Sequence, residues 1–338
     1  MKKDYLTDFY PYKRFSAKKV DRIFWRLKNQ TAKLTGDLTA RYKVALLMRL
    51  SGHGHELINL HLIEDGVFYA IALRNHKGFL FSEFCFNQAW LVTSISAPTK
   101  QCKTLSQIPG FKLLVIGDEK TNNSWYLKNA QFLSIDNQKN LGFKSYYSTP
   151  FNSYTRKNIG YLYAIKNGAQ FIYDTDDDNA PTIGLESYFN FNKFYTGLVY
   201  DHTVTDRIIN PYAHFGQPLI WPRGFPLDEI KNTYNNTYLL GAIKTSIVQQ
   251  GVVNGDPDID AIFRLTKKLK DEQIDIYFDD SAPSFQIPLY KMSPYNSQNT
   301  LFSYDGFWSL YLPNTVSFRL TDIWRSYWAQ RLMWLLNE

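Results

Sequence analysis

Residues 154–179, Y-T-R-K-N-I-G-Y-L-Y-A-I-K-N-G-A-Q-F-I-Y-D-T-D-D-D-N, constrain the fold more than any other stretch of the chain. They predict a helix, a tight stop, a short buried strand, and then four carboxylates within five residues. Thr155 is placed to cap the helix, and Ile159, Leu162 and Tyr163 share one face at helical spacing. Gly168 suits the position just past the helix end, because glycine accepts the left-handed conformation there. Phe171, Ile172 and Tyr173 form an apolar, β-prone run that stops at Asp174. Acids at the carboxyl end of a strand lie where open α/β sheets bind ligands. Such a cluster repels itself unless a cation neutralises it. Hard oxygen ligands favour magnesium or manganese, and these ions bridge readily to a diphosphate. The bland alternative is a solvated acidic loop, and the buried strand ahead of the acids argues against it.

The surrounding sequence extends the α/β pattern. Residues 90–95 read as a strand, 100–107 as a short helix broken by Pro109-Gly110, and 112–116 as a second strand ending in Gly117-Asp118. A looser stretch through Phe132-Leu133 leads to the 154–179 unit. Strand, helix, strand, helix, strand implies a parallel sheet with right-handed crossovers. Neither G-x-G-x-x-G nor G-x-x-x-x-G-K-[ST] occurs where a dinucleotide fold or a P-loop needs it. Later, Asn210–Pro218 and Trp221–Asp228 form dense Pro/Gly loops. Gly255-Asp256-Pro257-Asp258-Ile259-Asp260 opens a helix with Ile262, Phe263 and Leu265 on its apolar side. Acids there complement the helix dipole, which is the plain alternative to a catalytic role. Residues 323–336 read as a last, tryptophan-rich helix carrying Arg325 and Arg331.

Residues 1–86 read as a separate small α+β unit and 87–338 as the main domain. In the first unit, Ser16 heads a helical stripe of Val20, Ile23, Phe24 and Leu27. Residues 67–73 and 79–84 look like strands around the turn Asn75-His76-Lys77-Gly78. His53, His55 and His61 match no zinc spacing and read as a polar loop. With 338 residues and 44% hydrophobic content, the chain has enough apolar sequence for a sizeable core. The net charge of +7 favours anionic partners, and much of the excess lies among Lys2, Lys3, Lys13, Arg14, Lys18, Lys19, Arg22, Arg26 and Lys28. Peripheral contact with a membrane surface through this basic N-terminus is one expectation. Cys85 and Cys102 make no disulfide framework and point to a reducing compartment. No run has the length of a membrane span, and no signal-peptide core is evident, so the expected location is cytoplasmic or membrane-peripheral.

The 156–178 segment resembles the metal-binding core of GT-A nucleotide-sugar glycosyltransferases, through Arg156, Asn158, Gly160, Gly168, Asp176 and Asp178. A more specific resemblance runs through W-L-V-T-S-I-S-A-P-T, F-K-L-L-V-I-G-D, I-Y-D-T-D-D-D-N, N-P-Y-A-H-F-G-Q-P, W-P-R-G-F-P-L-D, G-D-P-D-I-D-A-I-F-R-L-T and F-R-L-T-D-I-W-R-S-Y-W-A-Q-R-L. These motifs, in order over roughly residues 88–336, are similar to the STELLO-like glycosyltransferase family. Its plant members are membrane-anchored Golgi proteins. The resemblance implies a GT-A-like, mostly parallel sheet flanked by helices. It also implies an enzyme, a hexosyl- or pentosyl-transferase that uses Mn2+ or Mg2+.

On that resemblance Asp176 and Asp178 hold the metal, with Asp174 and Asp177 as further candidate ligands. The metal holds the diphosphate of a nucleotide-sugar donor. Thr93 and Ser94 approach the base and ribose, and Asp118 hydrogen-bonds one of them. Arg156 reaches the diphosphate or orients an acid, Asn158 belongs to the same donor-binding motif, and the Arg223 loop holds acceptor or phosphate. Asp258 and Asp260 are candidate bases for the acceptor hydroxyl, and Asp256 is a weaker one. The acceptor would be a carbohydrate, glycolipid or glycoprotein. Two other classes compete with this one. A non-catalytic nucleotide-sugar or polysaccharide binding module would keep the acids without turnover. An electrostatic binder of anionic surfaces or nucleic acid would lose affinity steeply with salt. The acidic pocket and the absence of a recognisable nucleic-acid module argue against nucleic acid.

Overall fold

The computed structural model describes residues 97–108, 110–179, 188–201, 207–230, 237–267 and 275–338, with the strand backbones at 13–15, 55–63, 67–74 and 89–94. Contacts divide the chain into Met1–Ser82 and Glu83–Glu338. In the first unit, Lys13–Phe15 (β1), His55–Ile63 (β2) and Val67–Arg74 (β3) form an antiparallel sheet in the order β1-β3-β2. The expected strand at 67–73 is present, but its hairpin partner precedes it, with Ile63 opposite Val67. His55 and His61 are therefore strand residues and not loop residues. The expected helix after Ser16, the turn at 75–78, the strand at 79–84 and His53 lie outside the described residues.

The second unit contributes Ala89–Ser94 (β4), Phe111–Ile116 (β5), Ala130–Leu133 (β6), Phe171–Thr175 (β7), Phe194–Tyr200 (β8), Tyr238–Lys244 (β9), Val248–Gln250 (β10), Phe285–Gln286 (β11) and Asn299–Ser303 (β12). Six of these form the main sheet in the order β10-β12-β7-β4-β5-β6. The β7-β4-β5-β6 side is parallel, and β12 and β10 join antiparallel at the other edge. The stretch expected to be loose around Phe132-Leu133 is β6. It carries only four residues and one buried side chain, too little for a visible period-two signal. A smaller sheet has the order β11-β8-β9. The unit is mixed α/β.

Among the described residues the α-helices are Lys100–Leu105 (α1), Ile135–Asn140 (α2), Lys157–Lys166 (α3), Ala261–Lys267 (α4) and Thr321–Leu336 (α5), apart from two single turns. Alternation along β5 sets the layers. Leu114 and Ile116 pack with Tyr161 and Ala164 of α3 and with Ala329 and Met333 of α5. Leu113 and Val115 pack on the opposite face with Cys102 and Leu105 of α1. Both faces of the sheet are covered, as a parallel sheet requires.

Strand order fixes where a ligand can enter. From β4 the chain moves outward through β5 to β6, and then returns to place β7 on the other side of β4. The carboxyl ends of β4 and β7 therefore flank the topological switch point, where open α/β sheets form their crevice. Gly168 has φ +84° and ends the α3 turn immediately before β7, as its position implied. The helix start differs from expectation. Ser153 accepts the Thr155 N–H and residues 154–156 form a 3-10 turn, so Thr155 is not the cap. The buried face of α3 also differs. It consists of Lys157, Asn158, Ile159, Gly160, Tyr161 and Ala164, whereas Leu162 is 38% exposed. Two polar side chains displace a leucine because both find partners inside.

Candidate functional site at the carboxyl ends of β4 and β7

Strand β7 runs on through Thr175, so Asp174 is a strand residue and not the first loop residue. It lies two positions after Ile172 and faces the same α3–α5 layer. Its side chain is fully buried. Lys157 Nζ donates to Oδ1 at 3.0 Å. Tyr161 donates to Oδ2 at 2.8 Å, and the two terminal guanidinium nitrogens of Arg325 reach the same oxygen at 3.1 Å. A buried carboxylate persists only when paired and hydrogen-bonded, and these donors meet that requirement. Arg325 also donates to Ser297 Oγ at 2.7 Å. Asp174, expected among the metal ligands, is placed inside this closed cluster with both oxygens occupied.

Asp176 stands at the boundary of the cluster. Oδ1 accepts from Lys157 at 2.9 Å and from Tyr154 at 3.1 Å. Oδ2 has no partner among the described residues. Burial raises the Asp176 carboxyl above the ordinary aspartate range, even with Lys157 beside it. Burial works against the Lys157 charge as well, but Asp174 and Asp176 outweigh it and hold the ammonium above the usual lysine range. The Tyr154 and Tyr161 hydroxyls are held well above ordinary phenols by burial first, then by Asp176 and Asp174 respectively. Asp178 is exposed and accepts from Asn179 at 3.0 Å. Thr99, which caps α1 after β4, donates to the Asp177 carbonyl at 2.7 Å. The two loops flanking the switch point are thus tied together.

Thr93 and Ser94 are the last residues of β4, next to the Val92–Asp174 register pair. The other expected donor-site residues serve neighbouring structure. Asp118 is buried and accepts the N–H groups of Glu119, Asn152 and Ser153. It therefore anchors the loop that enters α3. Arg156 is buried, donates to Gln138 Oε1 and the Thr149 carbonyl, and lies over the Phe151 ring. Asn158 exchanges two hydrogen bonds with the Leu312 backbone, at 2.8 and 2.9 Å. Arg156 and Asn158 are both engaged with other structure, Arg156 with Gln138 and Thr149 and Asn158 with Leu312.

The second acidic segment divides its tasks. Asp258 receives Arg223 Nε at 2.7 and 2.8 Å and Asn296 Nδ2 at 2.9 Å. Arg223 also donates to Asp322 at 2.8 Å. Asp260 accepts the Ile262 and Phe263 N–H groups and so caps α4. Asp256 pairs with Arg264. In α4 only Phe263 of the expected apolar trio is buried, while Ile262 and Leu265 are exposed. The Arg223 loop is held against α5 by Gly224, whose φ is +84° and where an added Cβ would meet Ile323 Cγ2 at 2.3 Å. Ser297 bridges side chains that serve the two acidic segments, Asp322, which shares Arg223 with Asp258, and Arg325, which pairs with Asp174. Its N–H donates to Asp322 and its Oγ accepts from Arg325.

Sequence reasoning did not single out Lys157, Tyr154, Tyr161, Asn296, Ser297 or Asp322, and it left Arg325 without a role. A signal existed for two of them. Lys157 falls at helical spacing with Tyr161 and Ala164, and Arg325 with Ala329, all buried, and a buried cation needs a carboxylate. Among the described residues no group of three or more His, Cys, Asp or Glu is arranged to hold a metal ion. Among them, too, no helix is long and apolar enough to cross a membrane.

No protein-family model matches the chain. It is similar to two proteins of Arabidopsis thaliana, "Probable glycosyltransferase STELLO1" and "Probable glycosyltransferase STELLO2", with 39% and 38% identity over 260 residues. The alignments cover 74% of this chain and 34% of each relative, so the chain spans about a third of the length of the curated relatives it matches.

Proposed function

Since the chain belongs, over most of its length, to the STELLO-like glycosyltransferase family, we propose that it transfers a sugar from a nucleotide-diphosphate donor to a carbohydrate, glycolipid or glycoprotein acceptor on a GT-A-like scaffold. The observation that carries the reading is the pair Asp176 and Asp178 at the switch point. Asp176 has one uncommitted oxygen, and Asp178 is exposed beside it.

This donor set fits a divalent magnesium or manganese ion. Two hard oxygens leave the remaining places to water and phosphate oxygens, as magnesium sites commonly do. Asp176 and Asp178 would hold the ion, which supplies charge stabilisation for a diphosphate leaving group. Lys157 keeps Asp176 in place and limits the self-repulsion of the acids. Thr93 and Ser94, at the end of β4 beside β7, would meet the nucleoside.

In an inverting transfer the acceptor oxygen bonds to the anomeric carbon as the bond from that carbon to the diphosphate oxygen breaks. The electron pair leaves with the nucleoside diphosphate, and the acceptor proton passes to a carboxylate. Asp258 is the acid for this task, oriented by Arg223 and Asn296. Asp260, whose Oδ1 caps α4, is the second candidate.

The test is thermal stability against a panel of nucleotide sugars with manganese, magnesium or chelator. Wild type should show a metal-dependent upward shift with one nucleotide series. Asp176→Asn should lose that shift while its own melting point stays close to wild type. Unchanged donor affinity and metal dependence in Asp176→Asn would overturn the assignment.

A further inference from the structure

We propose that a cavity of about 740 Å³, bounded by β10, β11 and the end of α5, binds an uncharged oligosaccharide, the acceptor of the transfer described above. Its role as an acceptor site rests on that reading. Its ligand class rests on its own walls. The volume lies within the range of ordinary small-molecule sites, roughly 300–1,000 Å³.

Tyr188, Phe191, Phe285 and Trp334 bring aromatic rings to the walls. Ring faces suit the C–H faces of sugars, and amides or hydroxyls between them suit sugar hydroxyls. Such groups are present and uncommitted. The Gln286 side-chain amide and the Tyr195 hydroxyl line the cavity and have no hydrogen-bond partner among the described residues. The charged groups of the wall are already engaged. Lys244 pairs with Glu338, Arg223 with Asp258 and Asp322, and the buried Lys291 is not without a partner. A phosphate or carboxylate ligand would find no unpaired cation here, whereas a neutral polyol finds donors and acceptors.

Position links the cavity to the chemistry. Arg223 and Asn296, which hold Asp258, also line it. An oligosaccharide in the cavity therefore lies against the two side chains that orient the proposed base.

The experiment applies the full chain to an array of neutral and acidic oligosaccharides, and then titrates the best neutral binder. Binding to neutral oligosaccharides is expected. Gln286→Ala and Tyr195→Phe should each weaken it about threefold to tenfold, the cost of one lost hydrogen bond, and leave the nucleotide-sugar thermal shift unchanged. No binding to any neutral oligosaccharide, a preference for acidic ones, or binding indifferent to both substitutions would overturn the site. Oligosaccharide binding without any donor shift in wild type would sink the transferase reading and leave the saccharide site standing.

Discussion

The chain has two acidic segments with the same every-other-residue spacing, D-T-D-D-D at 174–178 and D-P-D-I-D at 256–260, and the structure uses them in different ways. The first begins in a strand. Asp174 is therefore carried into the core and closed off by Lys157, Arg325 and Tyr161, and two residues later Asp176 reaches the surface with an oxygen to spare. The second lies in a loop ahead of a helix. Its three acids are a surface ion pair, an arginine-clamped carboxylate and a helix cap. Spacing identifies neither role. What decides is whether the backbone enters a sheet, where burial demands a counter-charge, or a helix start, where bare N–H groups demand an acceptor.

The strongest test of this contrast is at Arg325. Arg325→Met leaves Asp174 buried with Lys157 as its one remaining cation among the described residues. Chemical denaturation should show a loss of about 3–5 kcal/mol, the usual cost of breaking a buried pair from one side. A loss no larger than that of a surface arginine would mean that the cluster is hydrated and open.

Asp258→Asn comes next. It should lower the transfer rate about a hundredfold or more while the donor thermal shift persists, because a positioned base contributes at that scale. Rates close to wild type would place the base elsewhere and reduce the second segment to a structural one.

Alkaline titration separates the closed cluster from the surface. Burial raises the Tyr154 and Tyr161 hydroxyls well above the ordinary range, and the Tyr295 hydroxyl is pushed up to about 12. A group whose folded pKa is raised adds stability that is complete below its unfolded value, near 10 for tyrosine. That contribution is lost as the pH climbs toward the folded value. Phenolate absorbance should therefore rise in two phases, the later one coinciding with loss of tertiary structure. A single phase near pH 10 with the fold intact would show these hydroxyls to be accessible.

The smallest effect is expected from Asp260→Ala. Loss of the cap should cost about 1 kcal/mol and leave donor binding and turnover intact. A collapse of turnover instead would restore Asp260 as a base.

Much of the frame was legible from sequence because short-range rules govern it. Periodicity located β4, β5, β7, α1 and α5 within a few residues, and Gly168 marked the end of α3 through its left-handed backbone. Strand β6 was missed because four residues carry too little pattern. The α3 stripe was misread because a period identifies a face and not the partners that let Lys157 and Asn158 occupy it. Arg156, Asn158 and Asp118 belong to the motifs, yet their hydrogen bonds hold loops and not an open pocket.

The sequence alone established that an acidic cluster follows a buried strand in an α/β context, since apolar runs, glycine stops and clustered charge are properties of adjacent residues. Only the tertiary structure decided which acid is closed and which is open. That depends on Arg325 arriving 151 positions later to neutralise Asp174, and on Asn296 and Arg223 converging on Asp258. A carboxylate's role is set by the charges and donors around it in space, and those come from segments that local spacing does not connect.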